Sequence, residues 1–417
     1  MKRIVICMDG TWQNLAWQTI DYDPITGGAV DRRTNVAKIA QQAAACDDHN
    51  NPQIVFYSPG VGARTFVTQN KKQVAHYEGA TGEGSEENII AAYLFLSFNY
   101  EPGDHIHLFG FSRGAFGVRS LAGLVRRCGI LNRTETAQVR NALDLYRKDP
   151  GPDRDALAGR FRKQYCAARV AGVDTALDDP QAVKITFMGV FETVVMRKGL
   201  LELAGLAQPS REYSFHDLKL GNHVMAARHA MALDERRNTL PLTPWSNIGG
   251  FCEDRNCKPY APDAPYQQKW FAGAHGDVGG GQSRPLSAVS RKWVLSGASR
   301  AGLKVNEPLR NDGDPSNPDF LNGEIEALIS LGQLGYSDRI VFPEPPDPSE
   351  KNTVRRRRER AALEHLDQHV HVSVAVRMLS EGLGYWPRPL RPFKRLINPK
   401  ARPFQEWLEQ RKHEMFG

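Results

Sequence analysis

A chain of 417 residues with 41% hydrophobic and 24% charged residues has a globular composition, which excludes a disordered or fibrous polymer. Six cysteines at 7, 46, 128, 166, 252 and 257 contain no CxxC pair, which argues against a zinc module and for a reduced, cytosolic chain. No run approaches the ~18 apolar residues of a membrane span, and the net charge of +7 points to anionic partners only where it is locally concentrated.

Lys2 and Arg3 precede the apolar run Ile4–Met8, but Asp9 ends it far short of a secretion signal, so it reads as a first buried strand. Asn35–Ala45 carries Val36, Ile39 and Ala40 at helical spacing. Ile54–Tyr57 is the next strand and runs into the loop Ser58-Pro59-Gly60-Val61-Gly62. Glu86–Asn99 is a helix with acidic residues in its first turn, where they oppose the helix dipole. Gly79–Gly84 mimics a phosphate loop, yet Ser85 and Glu86 stand where Lys and Ser/Thr would be required. Ile106–Phe109 is the third strand and Ala115–Cys128 the helix behind it; Val183–Val190 and Lys269–Ala274 are the fourth and fifth strands. Residues 131–180 read as a helical insertion, and 205–265 as a cap with a short helix near Val224–Leu233. Strands alternating with helices imply an α/β fold, a mainly parallel sheet flanked by helices. The expected organisation is one α/β domain over 1–380 with cap insertions, followed by a basic, proline-rich tail over 381–417.

Between the third strand and its helix stands Gly110-Phe111-Ser112-Arg113-Gly114. A Gly-x-Ser-x-Gly turn between strand and helix is a nucleophile elbow, in which Gly110 and Gly114 permit close backbone approach and Ser112 is lifted above the sheet edge. Counting strands back from the elbow, the first strand's loop, Asp9-Gly10-Thr11-Trp12, supplies an oxyanion site. The Gly10 and Thr11 amides would meet that of Arg113, with Asp9 bracing the loop. The base is expected at His275, which follows a strand in Ala274-His275-Gly276-Asp277-Val278-Gly279-Gly280-Gly281. His369 and His371 are rivals on an alternating segment, and His365, His369 and His371 could instead bind metal. For the acid, Glu192 follows the fourth strand; Asp277 is the alternative, Asp9 a third, and both aspartates are better suited to holding their own loops. This chemistry needs no cofactor and no metal.

Six ordered blocks, Asp9–Trp12, Tyr57–Gly62, Gly79–Gly84, Phe109–Ala115, Gly189–Val194 and His275–Gly281, resemble the bacterial α/β-hydrolase family whose best known members are type VI secretion phospholipase effectors. Ala232–Arg237 resembles a further family block. The resemblance spans about Arg3–Leu303 and implies serine esterase chemistry, with Ser112 and His275 at matching positions. Glu192 departs from it, standing where the family is expected to carry aspartate.

The function expected is a serine hydrolase cleaving carboxyl esters, of lipase or phospholipase type, acting on an ester or phospholipid substrate. The alternatives are a soluble short-chain esterase and a hydrolase-fold binding protein with weak turnover. Arg355-Arg356-Arg357-Arg358-Glu359-Arg360 and the Arg388–Arg402 tail are candidates for peripheral contact with an anionic membrane. Nucleic acid is not expected, because no binding module accompanies the charge. The expected location is the cytoplasm, with export requiring a specialised secretion system.

Overall fold

The computed structural model describes residues 1–11, 13, 20–22, 29–31, 33–61, 85–166, 182–195, 219–238, 240–253, 257, 264–281, 284–306, 370–380, 384–393 and 406. Strands β1 (Arg3–Met8), β4 (Gln53–Ser58), β5 (His105–Phe111), β6 (Ile185–Phe191), β7 (Ala227–Ala232) and β8 (Tyr266–Phe271) form one sheet in the order β4-β1-β5-β6-β7-β8. Every neighbouring pair in it is parallel. The short strands β2 (Ile20–Tyr22) and β3 (Ala29–Asp31) make a separate antiparallel pair.

The strands are apolar on both faces because both faces are covered. In β1, Ile4, Ile6 and Met8 enter one core with α2 (Ser85–Asn99) and α3 (Arg113–Cys128), contacting Ile89, Tyr93, Val118 and Leu121. Val5 and Cys7 point the other way, into a core with α1 (Asn35–Gln42) and α8 (Arg284–Arg300). The period-two alternation of strand side chains thus serves two helical layers with one sequence.

Residues 133–165 are helical as expected, with α4 (Val139–Arg147) and α5 (Pro152–Tyr165) packed on α3. Two expectations fail. The helix expected near Val224–Leu233 is strand β7 of the main sheet, and a described helix of that region lies later, as α6 (Ile248–Glu253). All six β7 residues are buried, so its Ala-Arg-His-Ala-Met-Ala sequence lacks the polarity alternation that marks a half-exposed strand, and its alanines favour helix locally. The alternating segment at His369–Val374 is in turn mostly helical: α9 spans Val372–Leu379, with His371 at its N-cap. Both faces of that segment are covered, so alternation there carried no strand information. The last sheet strand also begins three residues earlier than expected, at Tyr266.

The chain passes from β1 to β4 on one side and then to β5 on the other, so the strand order reverses between β1 and β5. In open α/β sheets a crevice forms beyond the strand C-termini at such a point. Met8 pairs with Gly110 across this junction, which sets the Asp9–Thr11 loop beside the elbow.

Buried histidines in this core give a pH prediction. Burial lowers the pKa of His107, in β5, to about 3, and that of His371 well below its ordinary value. Below the free-histidine value the unfolded chain binds protons that these sites refuse, so stability falls as pH falls from about 6.5 toward 3. At pH 5 the His107 site should remove about 2 kcal/mol relative to pH 7, and His371 acts in the same direction. Thermal melting against pH should therefore give a shallower acid limb for His107→Gln than for the parent chain.

Candidate active site

Ser112 sits where β5 turns into α3, with φ +55° and ψ −120°. A non-glycine residue in this region is strained, and only three described ones have positive φ: Asn50, Ser112 and Glu192. Asparagine tolerates it; serine and glutamate at two adjacent strand ends do not do so readily. A serine preceding a helix ordinarily caps it, yet the Ser112 side chain makes no cap hydrogen bond. The hydroxyl is therefore not committed to helix capping.

The elbow glycines are there for space. A Cβ on Gly110 would stand 2.6 Å from the Ala115 Cα, and one on Gly114 would strike the carbonyl oxygens of Met8 and Asp9. This contact presses the start of α3 against the Asp9–Thr11 loop. Asp9 holds that loop: its Oδ1 accepts the Gly10 amide (2.7 Å), and its Oδ2 accepts Thr34 Oγ1 (2.9 Å) and Tyr57 Oη (2.6 Å). Asp9 thus ties the loop to α1 and β4. The Gly10 amide, one of the expected oxyanion donors, is the one bonded to Asp9. The Thr11 hydroxyl oxygen is buried without a hydrogen-bond partner. Arg113 occupies the first position of α3, where a backbone N–H has no partner within the helix. Burial lowers its guanidinium pKa to about 10, which leaves it charged at neutral pH.

Glu192 lies one residue past β6, fully buried. The Ser112 amide donates to the Phe191 carbonyl (3.0 Å) and the Val194 amide to the Ser112 carbonyl (3.3 Å), so serine and glutamate occupy neighbouring strand ends. Glu192 Oε1 accepts the Ala232 amide at 2.6 Å, while Oε2 stands 3.1 Å from His275 Nδ1. The imidazole packs on Phe111, the residue before Ser112, with ring centroids 4.7 Å apart. Phe111 is itself seated against Gly10 and Gly279, where any side chain would collide with its ring. One aromatic ring thus ties the elbow, the first loop and the histidine loop together.

Asp277 Oδ2 accepts the Ala274 amide (2.9 Å) at the start of α7 (His275–Gly279), while the partner of His275 Nδ1 is Glu192. His371 stands apart from Glu192, stacked on Phe271 at 4.5 Å with Nδ1 2.9 Å from Ser373 Oγ. His365, His369, Gly79–Gly84 and the basic block at Arg355–Arg360 lie outside the described residues. All six cysteines are free thiols, and burial raises that of Cys128 to about 12.

One important group was not singled out in the sequence. Glu235 Oε2 accepts the His275 amide at 3.1 Å and pairs with Arg237 at 2.6 Å. Burial raises its pKa, but the Arg237 donors and the nearby His275 outweigh this and bring it to about 2, so it is ionised. Its only sequence signal was membership of the charged block after β7.

Residues 2–297 match the family described as "T6SS, Phospholipase effector Tle1-like, catalytic domain". The chain belongs to this Tle1-like family. A curated relative is the uncharacterized protein YEL023C of Saccharomyces cerevisiae, 30% identical over 251 residues, covering 57% of this chain and 31% of that protein. The chain thus spans about a third of the length of this relative. Among solved structures, the Tle1 effector bound to the VgrG spike of the type 6 secretion system is 19% identical, with a TM-score of 0.33 over 67% of this chain and 51% of that one. An uncharacterized protein from Pseudomonas aeruginosa is 16% identical, with a TM-score of 0.36 over 74% and 47%. Among the described residues, no helix is long and apolar enough to cross a membrane.

Proposed function

We propose that this Tle1-like chain is a serine hydrolase that cleaves acyl esters of lipids through an acyl-enzyme on Ser112. The observation that carries this is the 3.1 Å contact between Glu192 and His275 Nδ1, beside a serine held at positive φ on the adjacent strand end. In this proposal the Nδ1 proton is donated to Glu192, which leaves Nε2 as the acceptor facing the site. His275 takes the Ser112 proton as Oγ bonds to the ester carbonyl carbon. It then returns that proton to the leaving alcohol as the carbon–oxygen bond breaks. Water hydrolyses the acyl-enzyme by the same steps in reverse. Thr11 and the start of α3 supply the oxyanion donors, each such donor contributing about 3 kcal/mol in well-formed sites.

The family's phospholipase effectors and the chain's net charge of +7 support a lipid substrate at an anionic surface. The decisive measurement is hydrolysis of phosphatidylglycerol and phosphatidylcholine vesicles beside soluble short-chain esters, at low and high salt. Vesicle hydrolysis should be faster on phosphatidylglycerol and should weaken with salt, because the attraction is screened. Turnover confined to soluble esters would make the chain a short-chain esterase. No turnover together with no labelling of Ser112 by a fluorophosphonate would make it a binding protein on a hydrolase fold.

A further inference from the structure

Three successive amides of the histidine loop each donate to a different carboxylate, Asp277 and Glu235 buried and Asp234 partly so. Gly273 N–H donates to Asp234 Oδ2 (2.8 Å), Ala274 N–H to Asp277 Oδ2 (2.9 Å) and His275 N–H to Glu235 Oε2 (3.1 Å). Two of these carboxylates come from the block after β7, and one closes the loop on itself. Gly273 has φ +111°, a conformation that an ordinary residue adopts only with strain, so the loop needs to be held. Asp234 is the member that reaches beyond the family match at 2–297. The same Oδ2 that accepts Gly273 also accepts Tyr385 Oη at 2.8 Å.

Tyr385 is anchored in turn. The Arg377 guanidinium of α9 lies 5.0 Å from its ring centroid. The segment leading to α9 joins the sheet edge, with Val370 bridging Trp270 in parallel and the His371 amide donating to the Trp270 carbonyl at 2.9 Å. Val370, Val372, Val374, Ala375 and Leu390 share a buried core with Met231, Leu233, Trp270 and Ala272. A continuous path thus runs from this appended core through Tyr385 and Asp234 to the amide two residues before His275.

We infer that residues 370–380 and 384–390 form a clamp on the histidine loop, with Asp234 and Tyr385 as positioning residues for His275. The inference rests on the proposed role of His275 as base. The clamp acts by shape, because one oxygen accepts both donors and an amide oxygen at that place would accept them equally well. Burial raises the Asp234 pKa to about 6, so a charge there is unfavourable and is not what the clamp requires.

The test compares Asp234→Ala, Asp234→Asn and Tyr385→Phe in the full chain. Hydrogen–deuterium exchange over residues 270–281 reads the loop, and steady-state kinetics on a soluble ester reads its consequence. Asp234→Ala and Tyr385→Phe should raise exchange at Gly273–His275 while global melting stays cooperative. They should lower kcat about 10-fold or more with KM nearly unchanged, since a small displacement of a catalytic group costs rate rather than ground-state binding. Asp234→Asn should recover most of the turnover and protection lost in Asp234→Ala. Should Asp234→Ala fail to fold, Tyr385→Phe alone carries the test, because it removes one hydroxyl and no packing. Unchanged exchange in a folded Tyr385→Phe protein overturns the clamp, as does an Asp234→Asn protein as impaired as Asp234→Ala. Exchange does not depend on chemistry. A Ser112→Ala protein that kept its turnover would thus sink the catalytic reading and leave the exchange result to decide the clamp.

Discussion

Replacing Ser112 with alanine should lower ester turnover by about 10³-fold or more, with folding intact. Ser112 is 4% exposed and its side chain makes no helix-cap hydrogen bond, so the missing hydroxyl leaves the scaffold in place. The strain at φ +55° argues that stability is unharmed: alanine inherits the same backbone cost as serine. Initial rates on a soluble ester, with a thermal melt of each protein, make the measurement. An alanine variant that retains most of its turnover would place the nucleophile elsewhere and reduce the elbow to a structural turn.

Glu192→Gln should lower kcat by about 10³- to 10⁴-fold, and the contacts of the carboxylate explain why. Oε1 accepts the Ala232 amide at 2.6 Å, and only the oxygen of a glutamine can do the same. The glutamine NH₂ is then forced toward His275 Nδ1, which must become an acceptor. The proton moves to Nε2, where the imidazole cannot take another from Ser112. Glutamine matches glutamate in size, so this fully buried position should still pack. Single-turnover kinetics with an activated ester would separate the effect on acylation from any on binding. A Glu192→Gln protein within about tenfold of the parent would mean that the Glu192–His275 bond is only structural. Glu192→Asp should be intermediate, because a shorter arm cannot hold both Ala232 and His275.

The elbow was legible because its signal is local: strand, Gly-x-Ser-x-Gly and helix occupy one continuous run of sequence. His275 was expected directly after a strand, but β8 ends at Phe271 and three residues intervene. Glu192 was the least secure member of the constellation, since a glutamate past a strand end has no local mark that ties it to a histidine 83 residues away. The Gly10–Asp9 bond was not legible, because nothing in Asp9-Gly10-Thr11 says that the carboxylate folds back onto the next amide. Strand β7 was hidden for a different reason. In a sheet buried on both faces, polarity no longer alternates, and the helical preference of alanine then points the wrong way.

The sequence by itself determined the α/β class, most strands of the sheet, the placement of Ser112 and Glu192 at strand ends, and the glycines that let backbones touch. These follow from propensity, periodicity and turn chemistry, which act over a few residues. Only the tertiary structure decided which carboxylate faces the imidazole, which amide Asp9 accepts in its own loop, and how the histidine loop is held. Asp234 and Tyr385 are 151 residues apart, and their contact exists because a core of valines sets the later segment on the sheet edge. Hydrogen bonds across such separations depend on packing that no local pattern encodes.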